Sequence, residues 1–396
     1  MKFRKELELE KKLDLLAPPD PKYVDTLAEE CIAPLYDHYF RCQIIGEENI
    51  PLRKGMEKPP RIFIANHSGM AFPWDAMMLG YGLARKILEP RENRKLSEMP
   101  RSLSAPALSH MPQMAPFFLP GWWKKGGCVD ATFENFDTLL SRGFDVIIYP
   151  EGIAGIGKGF GKKYRLQRFS SSVVKMSIKH SAPIVPICVV NGEFINPFAY
   201  NNEEINRWVQ KIGIPYLPLG PLTLFLLFPF MFYSGMPAKL YFIICKEVYP
   251  SEWAGNRSYE EIQEPEFHHY ALLLRRQVQK QLLQGVKKYG RTKPYQGGEF
   301  LSHLLWKAKG HRLKLFPFMW PDLFLTHWHR FHGGKTDIFH RFMRALPYWI
   351  PLFGWLYLFY ENWPRLAQKA KTLGFALQKK RPPSPEIKKI LEEQIK

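Results

Sequence analysis

Four short apolar runs, separated by stretches of helical character, constrain the fold of this chain more than any other feature. They lie within residues 61–66, 145–149, 183–190 and 239–245. Each is too short to cross a bilayer, and none alternates apolar with polar residues, which is typical of strands covered on both faces. The sequence therefore predicts an α/β protein with a central, mostly buried β-sheet flanked by helices.

The segments around these runs divide the chain into three parts. The pattern predicts a short amphipathic helix at 2–16 and further helices at 22–45, 76–84, 170–180 and 265–289. We expect N-terminal amphipathic helices (1–45), a central α/β domain (46–290) and a basic, aromatic C-terminal extension (291–396) that associates with a membrane.

Charge and aromatic content indicate the kind of partner. The 396 residues carry a formal charge of +19, and 15% of them are aromatic. Residues 301–396 contain 17 Lys or Arg and 6 Asp or Glu, so this quarter contributes +11. A basic protein binds polyanions, and abundant Trp and Tyr favour the bilayer interface over nucleic acid. We expect an anionic membrane surface as a partner and no nucleic acid.

Two long uncharged stretches bear on the mode of membrane attachment. Residues 212–238 include five prolines, and residues 345–360 include two prolines and seven aromatic residues. Because proline disrupts a regular spanning helix, we expect both stretches to lie in one leaflet. A true span and a buried core remain the alternatives.

The N-terminus and the cysteines indicate the compartment, and the histidines bear on metal binding. Residues 1–16 are charged at almost every other position, unlike the apolar core of a signal peptide. Five scattered cysteines match neither a zinc nor a redox motif, and we expect a reducing compartment. Six histidines between residues 303 and 340 lack grouped acidic or Cys ligands, so we expect interfacial side chains rather than a metal site. We predict a location on the cytoplasmic face of the membrane, peripheral or monotopic.

A polar loop after the first apolar run carries the first candidate site residues. The loop reads Asn66-His67-Ser68-Gly69 and continues to Asp75. A histidine at the end of a strand, with a carboxylate downstream, can act as a general base whose tautomer the carboxylate fixes. Taken alone, such a pair is more often structural.

A second loop follows the second run. It contains Pro150-Glu151-Gly152 and then glycines interleaved with cations, and residues 152–180 hold seven Lys or Arg and no Asp or Glu. Such a backbone can approach a phosphate while side chains neutralise it. The alternative is a solvated basic loop. The Gly-Lys-Ser/Thr ending of a nucleotide-binding loop is missing from it.

Together these motifs resemble the glycerolipid acyltransferase family, the lysophosphatidic acid acyltransferase-like group, and within it a bacterial phospholipid/glycerol acyltransferase branch. The resemblance covers about residues 45–290. The motifs that carry it are Asn66-His-Ser-Gly69 with Asp75, Tyr149-Pro-Glu-Gly152, Tyr164-Arg-Leu-Gln-Arg-Phe169 and Ala182-Pro-Ile-Val-Pro186.

The resemblance implies the family fold, an acyltransferase domain at 46–290 and specific roles. His67 would deprotonate an acceptor hydroxyl that attacks the thioester of acyl-CoA or acyl-carrier protein, and Asp75 would orient His67. The resemblance places acceptor binding at Glu151 and Gly152, and it makes Pro186 part of the last motif that shapes the pocket. It implies a lysophosphatidic acid or other lysophospholipid acceptor. It also implies no cofactor, metal or covalent acyl-enzyme.

Three departures from the family pattern widen the choice of acceptor. Seven residues separate His67 from Asp75, where four are usual; residues 126–135 lack the phosphate-binding Arg; and Ile153-Ala154 replace Thr-Arg. Phosphate binding would then fall to the cations of the second loop, which are Lys158, Lys162, Lys163, Arg165 and Arg168. Otherwise the acceptor is diacylglycerol, a long-chain alcohol or a glycolipid. A catalytically silent lipid-binding protein is a further alternative.

Overall fold

The computed structural model describes residues 19–51, 59–88, 100–106, 108, 111–211, 215–255, 257–290 and 293–377. Its strands are β1 (Gln43–Ile45), β2 (Ile62–Ala65), β3 (Arg101–Ser104), β4 (Val129–Asp130), β5 (Val146–Ile148), β6 (Ile184–Val190) and β7 (Tyr241–Ile244). Its α-helices are α1 (Pro21–Leu27), α2 (Trp74–Leu88), α3 (Trp122–Lys125), α4 (Phe133–Ser141), α5 (Ile153–Ile156), α6 (Ser172–Lys179), α7 (Glu203–Gln210), α8 (Phe230–Tyr233), α9 (Pro250–Trp253), α10 (Glu264–Gly285), α11 (Gly297–Ser302), α12 (Trp320–Phe331), α13 (Ile338–Trp349) and α14 (Phe353–Leu377).

The described strands form one seven-stranded sheet in the order β1-β7-β6-β2-β5-β3-β4. Strands β6, β2, β5, β3 and β4 run parallel, whereas β7 is antiparallel to β6 and parallel to β1. The carboxyl ends of β6, β2 and β5 therefore lie side by side. In open α/β sheets this edge is where ligands bind.

Helices cover both faces of the sheet, and the strands contribute side chains to an apolar core on each. In β2, Phe63 and Ala65 enter one core, and Ile62 and Ile64 enter the other. The first core includes side chains of α1, α2, α12 and α13, and the second includes side chains of α4, α6 and α10. This arrangement confirms the predicted α/β fold with a buried central sheet flanked by helices.

Local sequence determines where the long helix α10 begins. Gln263 and Glu266 form a capping box, in which each side chain accepts a hydrogen bond from the other residue's backbone amide, and Pro265 follows in the first turn. These are typical helix-start signals. The helix packs against β6 and α6, and it begins one residue before the predicted range 265–289.

Two sequence predictions on secondary structure are wrong in part. The helix expected at 22–45 ends with a π-helical turn at Leu35–Tyr39, and Gln43–Ile45 instead pairs with β7 as a strand. Strands β3 and β4 were not expected, because neither is a continuous apolar run. The helix expected at 2–16 lies outside the described residues.

The N-terminal and C-terminal helices share one core with the sheet. Trp74, at the start of α2, lies 4.7 Å from Trp320 of α12 and 5.8 Å from Phe40, measured between ring centroids. Its indole nitrogen donates a 2.9 Å hydrogen bond to the carbonyl of Tyr233. The first turn of α2 is thereby attached to segments from both ends of the chain. The proposed limits at residues 45 and 290 stay a prediction.

In the first uncharged stretch, the described residues 215–238 contain two short helical segments, and residues 345–360 form the end of α13 and the start of α14. Leu222, Tyr233 and Tyr348 are buried, whereas Leu226 and Phe353 are exposed. Among the described helices, none combines the length and the apolar character needed to cross a membrane.

Candidate active site

Asn66 fixes the start of the first loop. Its side chain is fully buried, accepts a 2.7 Å hydrogen bond from the amide of Val189 and donates a 3.1 Å bond to the same residue's carbonyl. These two side-chain bonds connect Asn66, the residue that follows β2, to the neighbouring strand β6. His67 therefore leaves the sheet from a fixed position.

His67 and Asp75 lie in contact, as the family resemblance implies. Nδ1 of His67 is 2.9 Å from Oδ2 of Asp75. The carboxylate is fully buried and also accepts hydrogen bonds from the amides of Ser68, at 3.0 Å, and Ala76, at 2.8 Å. The seven-residue separation is accommodated because Gly69 and Met70 adopt positive φ, 110° and 59°, and return the chain to α2.

The pair leaves one imidazole nitrogen available for chemistry. An ionised carboxylate only accepts hydrogen bonds, so in the neutral imidazole Nδ1 carries the proton and Nε2 keeps a lone pair. The His67 side chain is 13% exposed, and its ring lies 4.5 Å from that of Tyr149. A neutral imidazole at the edge of solvent, oriented by a buried carboxylate, can remove a proton from a hydroxyl.

Glu151 contacts the backbone of both loops. Its Oε1 accepts a 3.1 Å hydrogen bond from the amide of His67, and its Oε2 accepts one from the amide of Gln167. Burial raises the pKa of this carboxyl, although the nearby Lys158 ammonium and the two amides oppose the shift. The next residue, Gly152, is exposed and has φ +56° and ψ −141°, a conformation open only to glycine.

Lys158 forms a buried ion pair and is not exposed on the basic loop. Its ammonium lies 3.0 Å from Oε1 of Glu193, and its side chain is only 1% exposed. Burial disfavours the charged form, but the carboxylates of Glu193 and Glu151 outweigh burial and raise the pKa of Lys158. A small cavity lies beside this pair, lined in part by Gly69 and Phe160. The role of Lys158 in binding a phosphate stays a prediction.

The other predicted cations are exposed on the same loop. They are Lys162, Lys163, Arg165 and Arg168. Helix α10 holds the backbone of this loop in place. Gln279 contributes to this anchoring, because it accepts a 2.8 Å hydrogen bond from the amide of Leu166 and donates a 2.9 Å bond to the carbonyl of Tyr164. An anchored loop with exposed cations can neutralise an anionic headgroup.

Pro186 lies inside the sheet rather than beside the two loops. It is buried in β6, next to Ile64 of β2, and its carbonyl accepts a 2.8 Å hydrogen bond from the amide of Cys245. Proline lacks the reciprocal N–H, which is tolerated here because β7 ends at Ile244. Any effect of Pro186 on the pocket would be indirect, through the position of β6.

Glu193 and Tyr216 are site-adjacent residues that sequence reasoning missed. Glu193 follows β6 at the sheet edge that carries His67, and position after a strand was the available signal. Tyr216 lies against Gly157, and burial together with the charge of Asp75 raises its pKa. Tyr216 lies in a proline-rich uncharged stretch, and nothing in that stretch indicated that it would lie near the site.

The histidine-rich segment has no metal-binding arrangement in the part of the chain that the structure describes. His327, expected at an interface, is buried instead, 3% exposed. Its Nε2 lies 3.1 Å from the hydroxyl of Thr26, and its ring lies 5.3 Å from that of Tyr23. Burial lowers the pKa of His327 to about 4.

Comparison with known proteins gives distant relatives. No family model matches the chain. An uncharacterized protein of Mycobacterium tuberculosis is 29% identical over 204 residues, 51% of this chain and 51% of that protein. An uncharacterized protein of Mycobacterium leprae is 27% identical over 240 residues, 60% of this chain and 58% of that protein. The chain thus spans only a little over half the length of the curated relatives it matches.

Among solved structures, the chain is similar to the 1-acyl-sn-glycerophosphate (LPA) acyltransferase of Thermotoga maritima. The similarity covers 74% of this chain and 100% of that chain, with a TM-score of 0.36 and 13% sequence identity.

Proposed function

We propose that the protein is an O-acyltransferase that moves a fatty acyl chain from acyl-CoA or acyl-carrier protein to the hydroxyl of a lysophosphatidic acid or other lysophospholipid. One observation carries the proposal: the 2.9 Å contact between Nδ1 of His67, whose side chain is 13% exposed, and the buried carboxylate of Asp75. The four ordered motifs that resemble the glycerolipid acyltransferases support the same chemistry.

In the proposed reaction His67 is the general base. Nε2 takes the proton of the acceptor hydroxyl while its oxygen attacks the thioester carbonyl, and the Asp75 carboxylate stabilises the imidazolium that forms. Collapse of the tetrahedral intermediate breaks the C–S bond, and the proton passes from His67 to the departing thiolate. Since a thioester is already activated, orientation and a base suffice without metal, cofactor or acyl-enzyme.

The choice of acceptor depends on the cations of the second loop. Lys162, Arg165 and Arg168 are exposed on the loop whose backbone contacts Glu151, and they would bind an acceptor phosphate. The burial of Lys158 against Glu193 favours a second candidate, an acceptor without phosphate such as diacylglycerol, a long-chain alcohol or a glycolipid. A catalytically silent lipid-binding protein is the third candidate.

The proposed substrates require contact with a membrane. The formal charge of +19 and the exposed aromatic side chains of the C-terminal helices support peripheral or monotopic attachment to an anionic surface. We propose that this surface is the cytoplasmic face.

The test is acyl transfer by purified protein in mixed micelles. Labelled palmitoyl-CoA would be offered with lysophosphatidic acid, other lysophospholipids, diacylglycerol or a fatty alcohol, alongside His67→Ala. We expect label in one product class and its loss in the variant. Replacement of Lys162, Arg165 and Arg168 by Gln should raise KM for phosphate-bearing acceptors only. Transfer that survives His67→Ala would refute the mechanism, and no transfer even with acyl-carrier protein as donor would favour the silent lipid-binding protein.

A further inference from the structure

Two segments distant in sequence expose a large apolar area. The first is the 3₁₀ turn Pro221–Leu226 with Leu227, and the second is the first three turns of α14 with Leu352 before them. We call these side chains the apolar rim. Its members, with their exposed fractions, are Leu224 (46%), Leu226 (44%), Leu227 (38%), Leu352 (56%), Phe353 (72%), Leu356 (64%), Tyr357 (52%), Tyr360 (82%) and Trp363 (64%).

The two segments form one continuous surface. The amide of Leu352 donates a 2.8 Å hydrogen bond to the carbonyl of Leu227. The indole nitrogen of Trp355 donates a 2.6 Å bond to the carbonyl of Phe225, and their rings lie 6.5 Å apart. The apolar rim is therefore a fixed feature of the fold. Exposed apolar areas of this kind mark interaction sites.

Helix α13 extends the apolar surface beside the rim. Ile338 is 85% exposed, and Phe339 and Phe342 are 65% and 52% exposed. The ring of Phe342 lies 6.0 Å from that of Trp349, at the end of α13 and next to the start of α14.

The same 3₁₀ turn reaches the loop that carries His67. Leu222 is buried in a small cluster with Met70 and Ala71, and Tyr216 and Phe225 pack against it. Residues 215–227 therefore lead from the wall of the candidate active site to the apolar rim. A lipid held at the apolar rim would therefore lie on a surface that is continuous with the loop carrying His67.

Charge identifies the occupant of this surface. Residues 307–344 contain eight Lys or Arg and two Asp or Glu, a net charge of +6. Two of these cations are exposed beside the apolar side chains of α13: Lys335 just precedes the helix, and Arg341, which pairs with Asp322, lies on it. Exposed Phe, Leu, Tyr and Trp next to an excess of cations are typical of helices that lie in the interface of an anionic bilayer.

We propose that the apolar rim and the exposed face of α13 dock the protein on an anionic bilayer. The turn at 221–227 then guides lipid substrate from the leaflet to His67, and this second step rests on the proposed function.

The test is sedimentation with vesicles of phosphatidylcholine containing phosphatidylglycerol, without acyl donor. Phe353→Asp/Leu356→Asp places charge in the apolar rim at exposed positions, and we expect the bound-to-free ratio to fall roughly tenfold or more. Tyr360→Asp, at a still more exposed position, should act in the same direction and guards against misfolding of the double variant. Leu283→Asp is the matched control, because Leu283 is 53% exposed on α10, across the sheet, and should leave binding unchanged.

The outcomes separate docking from catalysis. His67→Ala should bind vesicles as the native protein does, so loss of its activity tests the reaction alone. Unchanged vesicle binding by both rim variants would overturn the proposal. A dimer in size-exclusion chromatography that these variants dissociate, with no vesicle binding by the native protein, would instead assign the surface to a second copy and overturn it as well.

Discussion

Glu151 holds the main chain of His67, because its Oε1 accepts a hydrogen bond from the His67 amide 3.1 Å away while its Oε2 accepts one from the amide of Gln167. One carboxylate thus connects the two loops. Glu151→Gln can offer only one acceptor oxygen, so one amide would face an NH₂ group. We expect kcat to fall roughly 10–100-fold as the loops shift. Steady-state kinetics would measure it; a change confined to KM for the acceptor would instead indicate that Glu151 binds substrate.

Asp75 fixes the tautomer of His67, and its replacement should reduce the rate without preventing folding. In Asp75→Asn an NH₂ group replaces either Oδ2, which accepts from both Nδ1 of His67 and the amide of Ser68, or Oδ1, which accepts from the amide of Ala76. We expect kcat to fall about 10²–10⁴-fold, as for loss of a general base, and the free energy of unfolding to fall by about 1–3 kcal/mol. Kinetics and urea unfolding would check this, with His67→Ala as the comparison. Equal activity of Asp75→Asn and native protein would remove Asp75 from the mechanism.

The buried pair of Lys158 and Glu193 should show strong energetic coupling. Lys158→Met alone leaves the Glu193 carboxylate buried without its cation, which costs about 3–5 kcal/mol. Glu193→Gln retains an acceptor for the amide of Tyr164, now 3.0 Å from Oε1. The double variant should therefore be more stable than the sum of the single effects predicts. A double-mutant cycle by chemical denaturation measures the coupling, and additive effects would argue against the pair.

Replacement of Gly152 tests whether the backbone after β5 requires a positive φ at this position. A Cβ at Gly152 would meet no atom within 4 Å, yet φ is +56°. Gly152→Ala should therefore cost about 1–3 kcal/mol through strain alone, and it should lower activity. Gly161→Ala is the control, since Gly161 has equal space and no positive φ. Thermal unfolding would compare the two variants. Equal melting temperatures would contradict the backbone strain expected for Gly152→Ala.

The burial of His327 predicts a loss of stability on acidification. Nδ1 of His327 is buried without a hydrogen-bond partner among the described residues, and burial lowers the pKa of the imidazole from 6.5 to about 4. Because the folded state has the lower pKa, this contribution is present above pH 6.5 and is lost as pH falls toward 4. The unfolding free energy should decrease by about 2 kcal/mol between pH 7 and 5 from this group. His327→Leu should remove that part of the slope, and an unchanged slope would contradict the assignment.

The sequence predicted the centre of the sheet and not its edges, for a physical reason. Strands β2, β5, β6 and β7 are covered on both faces and therefore appear as uninterrupted apolar runs. Strand β3, with the sequence Arg-Ser-Leu-Ser, and the two-residue β4 lack that pattern and derive their conformation from pairing with neighbours.

The candidate site also has a part that could be predicted from the sequence and a part that could not. His67 and Asp75 could be paired because a short loop and a helix start bring them together. The burial of Lys158 could not be predicted, because its partner Glu193 follows another strand. Local sequence shows which cations a loop carries, but only tertiary packing decides which of them face solvent.

The contact between Trp74 and Trp320 has a consequence for any shortened form of the protein. Trp74 precedes Asp75 directly, and its ring packs against those of Phe40 and Trp320, with centroids 5.8 Å and 4.7 Å away. A fragment limited to residues 46–290 would lack both neighbours and expose an indole at the base of the His67 loop. We therefore expect the stretch that carries every recognisable motif to align Asp75 and His67 less well on its own, because the flanking segments complete the packing around Trp74.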